Sequence, residues 1–246
     1  MAKILYASPV LPNKAEFIRI LYSNNRTNAL SECDGEVAEF MEDLGVSRWQ
    51  GWLQKFHQNH LFIQEIDVED SKTFFEDFFE EIRSLNPIAE WLRNFYLEAF
   101  GRDYTDPSAK PNVEQLLSFE IPYFGDTDVI DCTSYALPLP ENRLGTFREF
   151  CRQLNGEGRG QLQKYCYANR FVKLMHSVQR IGSQNFILFY TERLSELANA
   201  SEENFEENDQ WYRSQLIAST GLDKSALEPE IELACGDLLS AAVALR

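Results

Sequence analysis

Trp91-Leu92-Arg93, seven residues, then Gly101-Arg102-Asp103: this constellation returns as Trp211-Tyr212-Arg213, seven residues, then Gly221-Leu222-Asp223. The 246-residue chain has only four tryptophans, and two of them open the same pattern. Two further correspondences precede it in the same order. Pro9-Val10-Leu11-Pro12-Asn13 parallels Leu137-Pro138-Leu139-Pro140-Glu141. Leu53-Gln54-Lys55-Phe56, three residues, His60-Leu61-Phe62-Ile63 parallels Val178-Gln179-Arg180-Ile181, three residues, Asn185-Phe186-Ile187-Leu188. The offsets are 128, 125 and 120, a slow drift of the kind loop-length changes produce. Three matches in order read as an internal duplication, and the length suits two small domains.

Each copy has one pattern of elements. In the first, Ile4 to Ala7 reads as a strand closed by Pro9 and Pro12. Phe17, Ile20 and Leu21, then Cys33, Val37, Phe40, Met41 and Leu44, recur at helical spacing, and Gly45 is placed to cap the second stripe. Arg48–Phe56 and His60–Ile66 read as a hairpin across His57-Gln58-Asn59. A helix is expected over Ser71–Arg83. Another starts at an Asn86 cap, with Pro87 at its first position and Gly101 at its end. Glu114–Ile121 is the last strand of this copy.

The second copy gives strands at Cys132–Leu137, Val172–Arg180, Asn185–Thr191 and Glu230–Ala234. Helices are expected at Leu144–Leu154, Gln161–Ala168, Leu194–Asn199 and Asn208–Thr220. The glycines between Gly156 and Gly160 break or bend the first of these. A short apolar tail, Leu238–Leu245, follows.

Each copy is therefore a β-α-β-β-α-β unit, the ferredoxin-like arrangement, with helices on one face of a sheet. The other face must be buried. Phe186-Ile187-Leu188-Phe189-Tyr190 is apolar without alternation, as in a strand covered on both sides. The expected class is α+β, with two tandem ferredoxin-like repeats closing into an intramolecular dimeric α/β barrel. The expected division is 1–121 for the first repeat, 122–131 for a linker and 132–246 for the second repeat.

Pro9-Val10-Leu11-Pro12-Asn13-Lys14, Trp52-Leu53-Gln54, Trp91-Leu92-Arg93 and Gly101-x-Asp103 resemble a group of small bacterial proteins of the dimeric α/β-barrel (ferredoxin-like) superfamily. That superfamily is the structural class of the antibiotic-biosynthesis monooxygenases. The resemblance covers about 1–121 and 132–236. It implies a fused pseudo-dimer with two half-sites that need not be equal, and it transfers no catalytic residues. Tandem haem proteins of the chlorite dismutase type share the fold class but need an axial histidine on a helix of the second half. The second half here has only His176, read as a strand residue, which departs from the haem pattern; no cofactor is expected.

Lysine plus arginine is 23 and aspartate plus glutamate 39, a net charge of −16. Such a field repels phosphate backbones and anionic membrane surfaces, so neither nucleic acid nor membrane is an expected partner. The five cysteines, Cys33, Cys132, Cys151, Cys166 and Cys235, are odd in number and contain no CxxC pair. They read as reduced thiols in a cytoplasmic protein, monomeric as a pseudo-dimer or homodimeric. The N-terminus reads as a first strand and not as a signal peptide.

Few residues suggest chemistry. His57 and His60 flank a hairpin turn, no zincin spacing occurs, and no metal site is expected. His176 shares a strand face with Leu174 and Val178. It is either a core histidine bonded to a backbone carbonyl or, if that face lines the barrel, a base or ligand in an apolar cavity. Trp91 and Trp211 read as packing residues of their helices. Arg93 and Arg213 lie off the tryptophan stripe, each either a clamp on a carboxylate such as Asp103 or Asp223 or a substrate anchor. Gln54 and Gln179 recur in the middle of apolar strands, facing solvent or a cavity. Arg26 and Arg159 read as surface residues. The runs Phe75–Glu81 and Ser201–Glu207 read as solvated helix faces with an aromatic inner stripe. No dinucleotide fingerprint, P-loop or Gly-x-Ser-x-Gly is present.

Two functions compete, with a haem-binding protein the weakest, third reading. One is a small-molecule-binding or non-catalytic interaction module. The other, implied by the resemblance, is a cofactor-independent monooxygenase-like enzyme acting on a small aromatic compound. The scarcity of convergent histidine, cysteine and carboxylate motifs favours the first.

Overall fold

Pro9 and Pro138 are expected just beyond their strands, and each instead lies inside one. The computed structural model describes residues 2–24, 34–122, 130–194, 205–227 and 229–235. In it β1 runs Ala2–Val10, past Pro9, and β5 runs Ile130–Leu139, past Pro138. Proline gives no N–H to a ladder and is tolerated where a strand has a neighbour on one side only. Both strands are such edges. The first sheet has the order β1-β3-β2-β8, with β2 at Val46–Phe56, β3 at Asn59–Val68 and β8 at Ile231–Cys235. The second has the order β4-β6-β7-β5, with β4 at Val113–Glu120, β6 at Phe171–Ile181 and β7 at Gln184–Leu194. Every pairing in both is antiparallel.

The order β-α-β-β-α-β holds in each half, with the first helical stretch split in two in both halves and the second split in two in the first half. One expectation needs correction: neither half completes its own sheet. β4 pairs with β6, and β8 pairs with β2, so each fourth strand joins the sheet built from the other half. An additional neighbour on β1 or β5 would have to pair with a proline-bearing strand, and the fourth strands take the opposite edges. The chain accordingly forms two compact units, one of Met1–Pro111 with Glu230–Arg246, the other of Asn112–Pro229. The architecture is α+β: two four-stranded antiparallel sheets with their helices.

In the first unit the helices are α1 (Ala15–Asn24), α2 (Asp34–Asp43), α3 (Phe74–Glu81) and α4 (Pro87–Phe100). Asn86 Oδ1 accepts the Ile88 N–H at 2.8 Å, Pro87 follows, and Gly101 closes α4 at φ 64°. All three were legible as punctuation. Phe74, Phe75, Phe78 and Phe79 of α3 are buried while Glu76, Asp77 and Glu80 face outward. With Tyr6, Phe62, Phe95, Tyr96, Phe100 and Tyr104 they form an aromatic core on one face of the sheet. Gly51 belongs to that face for a steric reason: a Cβ there would lie 2.4 Å from Phe62 Cζ, whose ring stacks on Phe100 at 5.8 Å.

In the second unit the helices are α5 (Leu144–Asn155), α6 (Arg159–Ala168) and α7 (Phe205–Thr220). Gly156 donates its N–H to the carbonyls of Arg152 and Gln153, ends α5, and lets α6 start three residues later. Leu137, Phe147, Phe150, Leu154, Leu162, Leu174, Val178, Ile187, Phe189, Tyr212 and Leu216 form its core. Phe186 to Tyr190 are all buried, as their unbroken apolar run implied. Leu194, expected to open a helix, instead ends β7. The rest of that expected helix, most of the 122–131 linker, residues 201–204, Arg26, Cys33 and the apolar tail lie outside the described residues. Among the described residues no helix is long and apolar enough to cross a membrane.

Candidate functional site

Side chains alternate across a strand, so the register of the first sheet sorts its residues into faces. Tyr6, Trp49, Gly51, Leu53, Phe62, Gln64 and Ile66 lie on the helix-covered face. The other face carries four cross-strand rows over β1, β3 and β2: Lys3–Asp67–Arg48, Leu5–Glu65–Gln50, Ala7–Ile63–Trp52 and Pro9–Leu61–Gln54. The rows grade from charged, through mixed, to apolar. Leu5, Ala7, Trp52, Gln54, Leu61, Ile63 and Glu65 on this helix-free face are all buried.

The charged rows are wired together. Lys3 Nζ donates to Glu65 Oε1 at 2.5 Å and to both oxygens of Asp67 at 2.6 and 2.8 Å. Arg48 donates from its terminal nitrogen to Glu65 Oε1 at 3.2 Å, and its Nε lies 3.0 Å from Asp67 Oδ2. Burial decreases outward along the cluster: side-chain exposure is 0% at Glu65, 14% at Asp67 and 23% at Arg48. Burial pushes the Glu65 carboxyl above the ordinary carboxylate range, against the pull of Lys3 and then Arg48. Burying such a network costs desolvation that Coulomb attraction only partly offsets, so stability alone is a weak reason for it.

Both cations converge on Oε1, and the other carboxylate oxygen, Oε2, is buried with no hydrogen-bond partner. Directly opposite on β2, Gln50 Oε1 is also buried and unpartnered, although the Gln50 residue is half-buried. An orphaned buried acceptor costs about 1–3 kcal/mol. Two on directly paired residues, one of them a buried carboxylate, mark a place that can receive donors.

The sequence candidates fall in several places. Gln54 lies in the apolar row of this face, and Gln179 takes the matching place on β6, on the helix-free face with Met175 and Ser177; all four are buried. His176 points the other way, into the helix-covered core of the second unit. Its Nε2 is 2.6 Å from the Tyr212 hydroxyl, its Nδ1 is 3.9 Å from Cys151 Sγ, and its ring lies 4.7 Å from that of Phe189. Burial lowers its pKa to about 3 and raises that of the Cys151 thiol to about 12, so the imidazole is neutral and the thiol protonated. The phenol is the better proton donor of the pair, and we assign its hydrogen to the bond with Nε2. His176 is bonded by side chains where a backbone carbonyl was one expectation.

Arg93 donates to the carbonyls of Ile82 and Ser84 at the end of α3, at 3.1 Å for Ser84. Asp103, its expected partner, accepts instead from the N–H and hydroxyl of Thr105 at 2.9 and 2.6 Å. Those bonds hold the Asp103 carboxyl below its ordinary range. Arg213 pairs with Asp209 at 2.8 Å, one helical turn away. Trp91 stacks on Phe95 at 5.8 Å, and half-buried Trp211 packs beside Tyr212. Among the described residues no group of three or more His, Cys, Asp or Glu is placed to hold a metal ion.

Lys3, Arg48, Gln50, Glu65 and Asp67 are not among the sequence candidates. Their one trace in the sequence is the two-residue spacing of Glu65 and Asp67 inside an otherwise apolar strand.

No protein-family model matches the chain, and no curated protein does. Several crystal structures are similar to it. One is a putative monooxygenase from Fusobacterium nucleatum (8% identity, TM-score 0.44, covering 95% of this chain and 93% of that one). Another is an anthrone oxidase-like protein (10% identity, TM-score 0.42, 96% and 90%). A third is a putative monooxygenase from Lactobacillus acidophilus (10% identity, TM-score 0.39, 96% and 92%).

Proposed function

We propose that this chain is a cytoplasmic small-molecule-binding protein whose ligand is held at the helix-free face of the first sheet. The observation that carries the reading is Glu65: a fully buried carboxylate with two cations on one oxygen and nothing on the other. The outward gradient from Glu65 to partly exposed Arg48 gives a ligand an approach. The free thiols of Cys132, Cys151 and Cys166 fit a reducing compartment. The net charge of −16 sets nucleic acid and anionic membranes aside as partners.

We also read the two halves as copies of one unit. Left-handed backbone positions support this, two of the three pairs lying outside the motifs already matched. Gly45 and Arg170 precede the second strand of each half, His57 and Gly182 turn the hairpins, and Gly101 and Gly221 end the last helices. Their separations are 125, 125 and 120 residues, two of the offsets at which the sequence motifs recur.

Thermal-shift screening of polar small molecules tests the binding reading, with wild type and Glu65→Gln side by side. A ligand at ~100 times its dissociation constant adds ~2.7 kcal/mol to stability. The reading requires at least one compound that stabilises wild type and loses that effect in the variant. Hits that act equally on both would overturn it. Turnover of a confirmed ligand would make the binder an enzyme.

A further inference from the structure

The arrangement of orphaned atoms also bears on what the ligand is. Resting on the binding site proposed above, we infer that its ligand class is a small neutral compound with two adjacent hydroxyl groups on an apolar body, a 1,2-diol. Oε2 of Glu65 and Oε1 of Gln50 are both acceptors, both buried and both without a partner. Their residues are direct cross-strand partners, which places their Cβ atoms about 4.5–5.5 Å apart. Neighbouring hydroxyls can therefore donate one to each.

The same cluster excludes charged alternatives. Lys3 and Arg48 are already engaged by Glu65 and Asp67, so an anion would have to displace a carboxylate to reach them. An ammonium group would sit against both cations. Among the described residues the cluster pairs two cations with two carboxylates, and a neutral guest leaves that pairing unchanged. The next row supplies the apolar wall: Ile63 and Trp52 lie two residues along from Glu65 and Gln50, and Leu5 pairs with Glu65 from β1. All three are buried. A diol on a flat or compact hydrocarbon body satisfies the two acceptors with its body on the side of those apolar residues. Gln50, half-buried, stands on the solvent side.

Calorimetric titration of the full chain tests this with catechol and cis-1,2-cyclohexanediol, which separate an aromatic from an aliphatic body. 1,2-Dimethoxybenzene, benzoate and benzylamine serve as the no-donor, anionic and cationic comparisons. At least one diol should bind, and the dimethyl ether, benzoate and benzylamine should not. Glu65→Gln should weaken the diol about tenfold to a hundredfold, since the lost bond is to a charged acceptor. Gln50→Met, which leaves the ion network intact, should weaken it about two- to tenfold. If both diols fail while another compound class binds in a Glu65-dependent way, the diol inference falls and the site stands. If nothing binds through Glu65, both fall. Equal affinity of catechol and its dimethyl ether would overturn the inference even with a binding site established.

Discussion

The Tyr212 hydroxyl lies 2.6 Å from His176 Nε2 in the core of the second unit, and this bond answers for a buried polar ring amid aromatic neighbours. Tyr212→Phe keeps the ring that stacks on Tyr165 at 4.0 Å and removes only the partner of Nε2. The expected cost is about 1–3 kcal/mol, the price of an unsatisfied buried acceptor. Urea unfolding of the variant against wild type measures it, and a cost below a few tenths would show that His176 does not depend on this bond.

His176 also makes stability depend on pH. Its pKa is about 3 in the folded chain against 6.5 for a free imidazole. A depressed folded pKa means the unfolded chain takes up the proton first. The stability contributed by the neutral ring is therefore complete above pH 6.5 and is lost as pH falls toward 3. At pH 5 the loss amounts to about 2 kcal/mol relative to pH 7.5. His176→Gln should remove that part of the pH dependence, read from unfolding free energies at the two pH values. Identical slopes in wild type and variant would contradict the assignment.

Gly51 is required by shape and not by backbone conformation. Gly51→Ala places a methyl group against the Phe62 ring, which is fully buried and stacked on Phe100. Overpacking of this kind costs about 1–3 kcal/mol. Chemical denaturation should show it, and the double variant Gly51→Ala, Phe62→Leu should recover part of the loss.

The exchange of fourth strands makes a prediction about fragments. A fragment of residues 1–121 ends in β4, a strand of the other sheet, and lacks β8, whose pairing covers Gly51–Gln54 of β2. It should aggregate through that exposed edge. The same fragment cut at residue 111 and joined by a flexible linker to residues 230–235 restores the missing neighbour, and it should be better behaved on size-exclusion chromatography. Equal solubility of the two would contradict the strand assignment.

Much of the fold was legible because its punctuation is local. Asn86, Pro87 and Gly101 mark α4 through conformational preferences that need no tertiary context, and the polar stretch His57-Gln58-Asn59 between two apolar strands marks the first hairpin. The strand exchange was not, since pairing partners are set by contacts far apart in the chain. Pro9 and Pro138 carried the missing hint: a strand that runs through a proline belongs at an edge, whereas reading each proline as a stop hid that. Of the candidate residues, Gln54 and Gln179 were legible as polar positions in apolar strands. For Arg93, weighing only a carboxylate clamp against a substrate anchor left out the backbone carbonyls at the end of α3, which no side-chain motif records. Lys3, Arg48 and Glu65 form one cluster only after three strands are brought into register, and no short motif records that.

The central claim concerns Glu65 Oε2 and Gln50 Oε1, and a crystal structure of the chain soaked with catechol and, separately, with cis-1,2-cyclohexanediol tests it most directly. At least one of the two diols is expected with one hydroxyl within hydrogen-bond distance of each oxygen and its hydrocarbon body toward Trp52 and Ile63. A water alone on Oε2 in both crystals, with neither diol on this face, would contradict the claim.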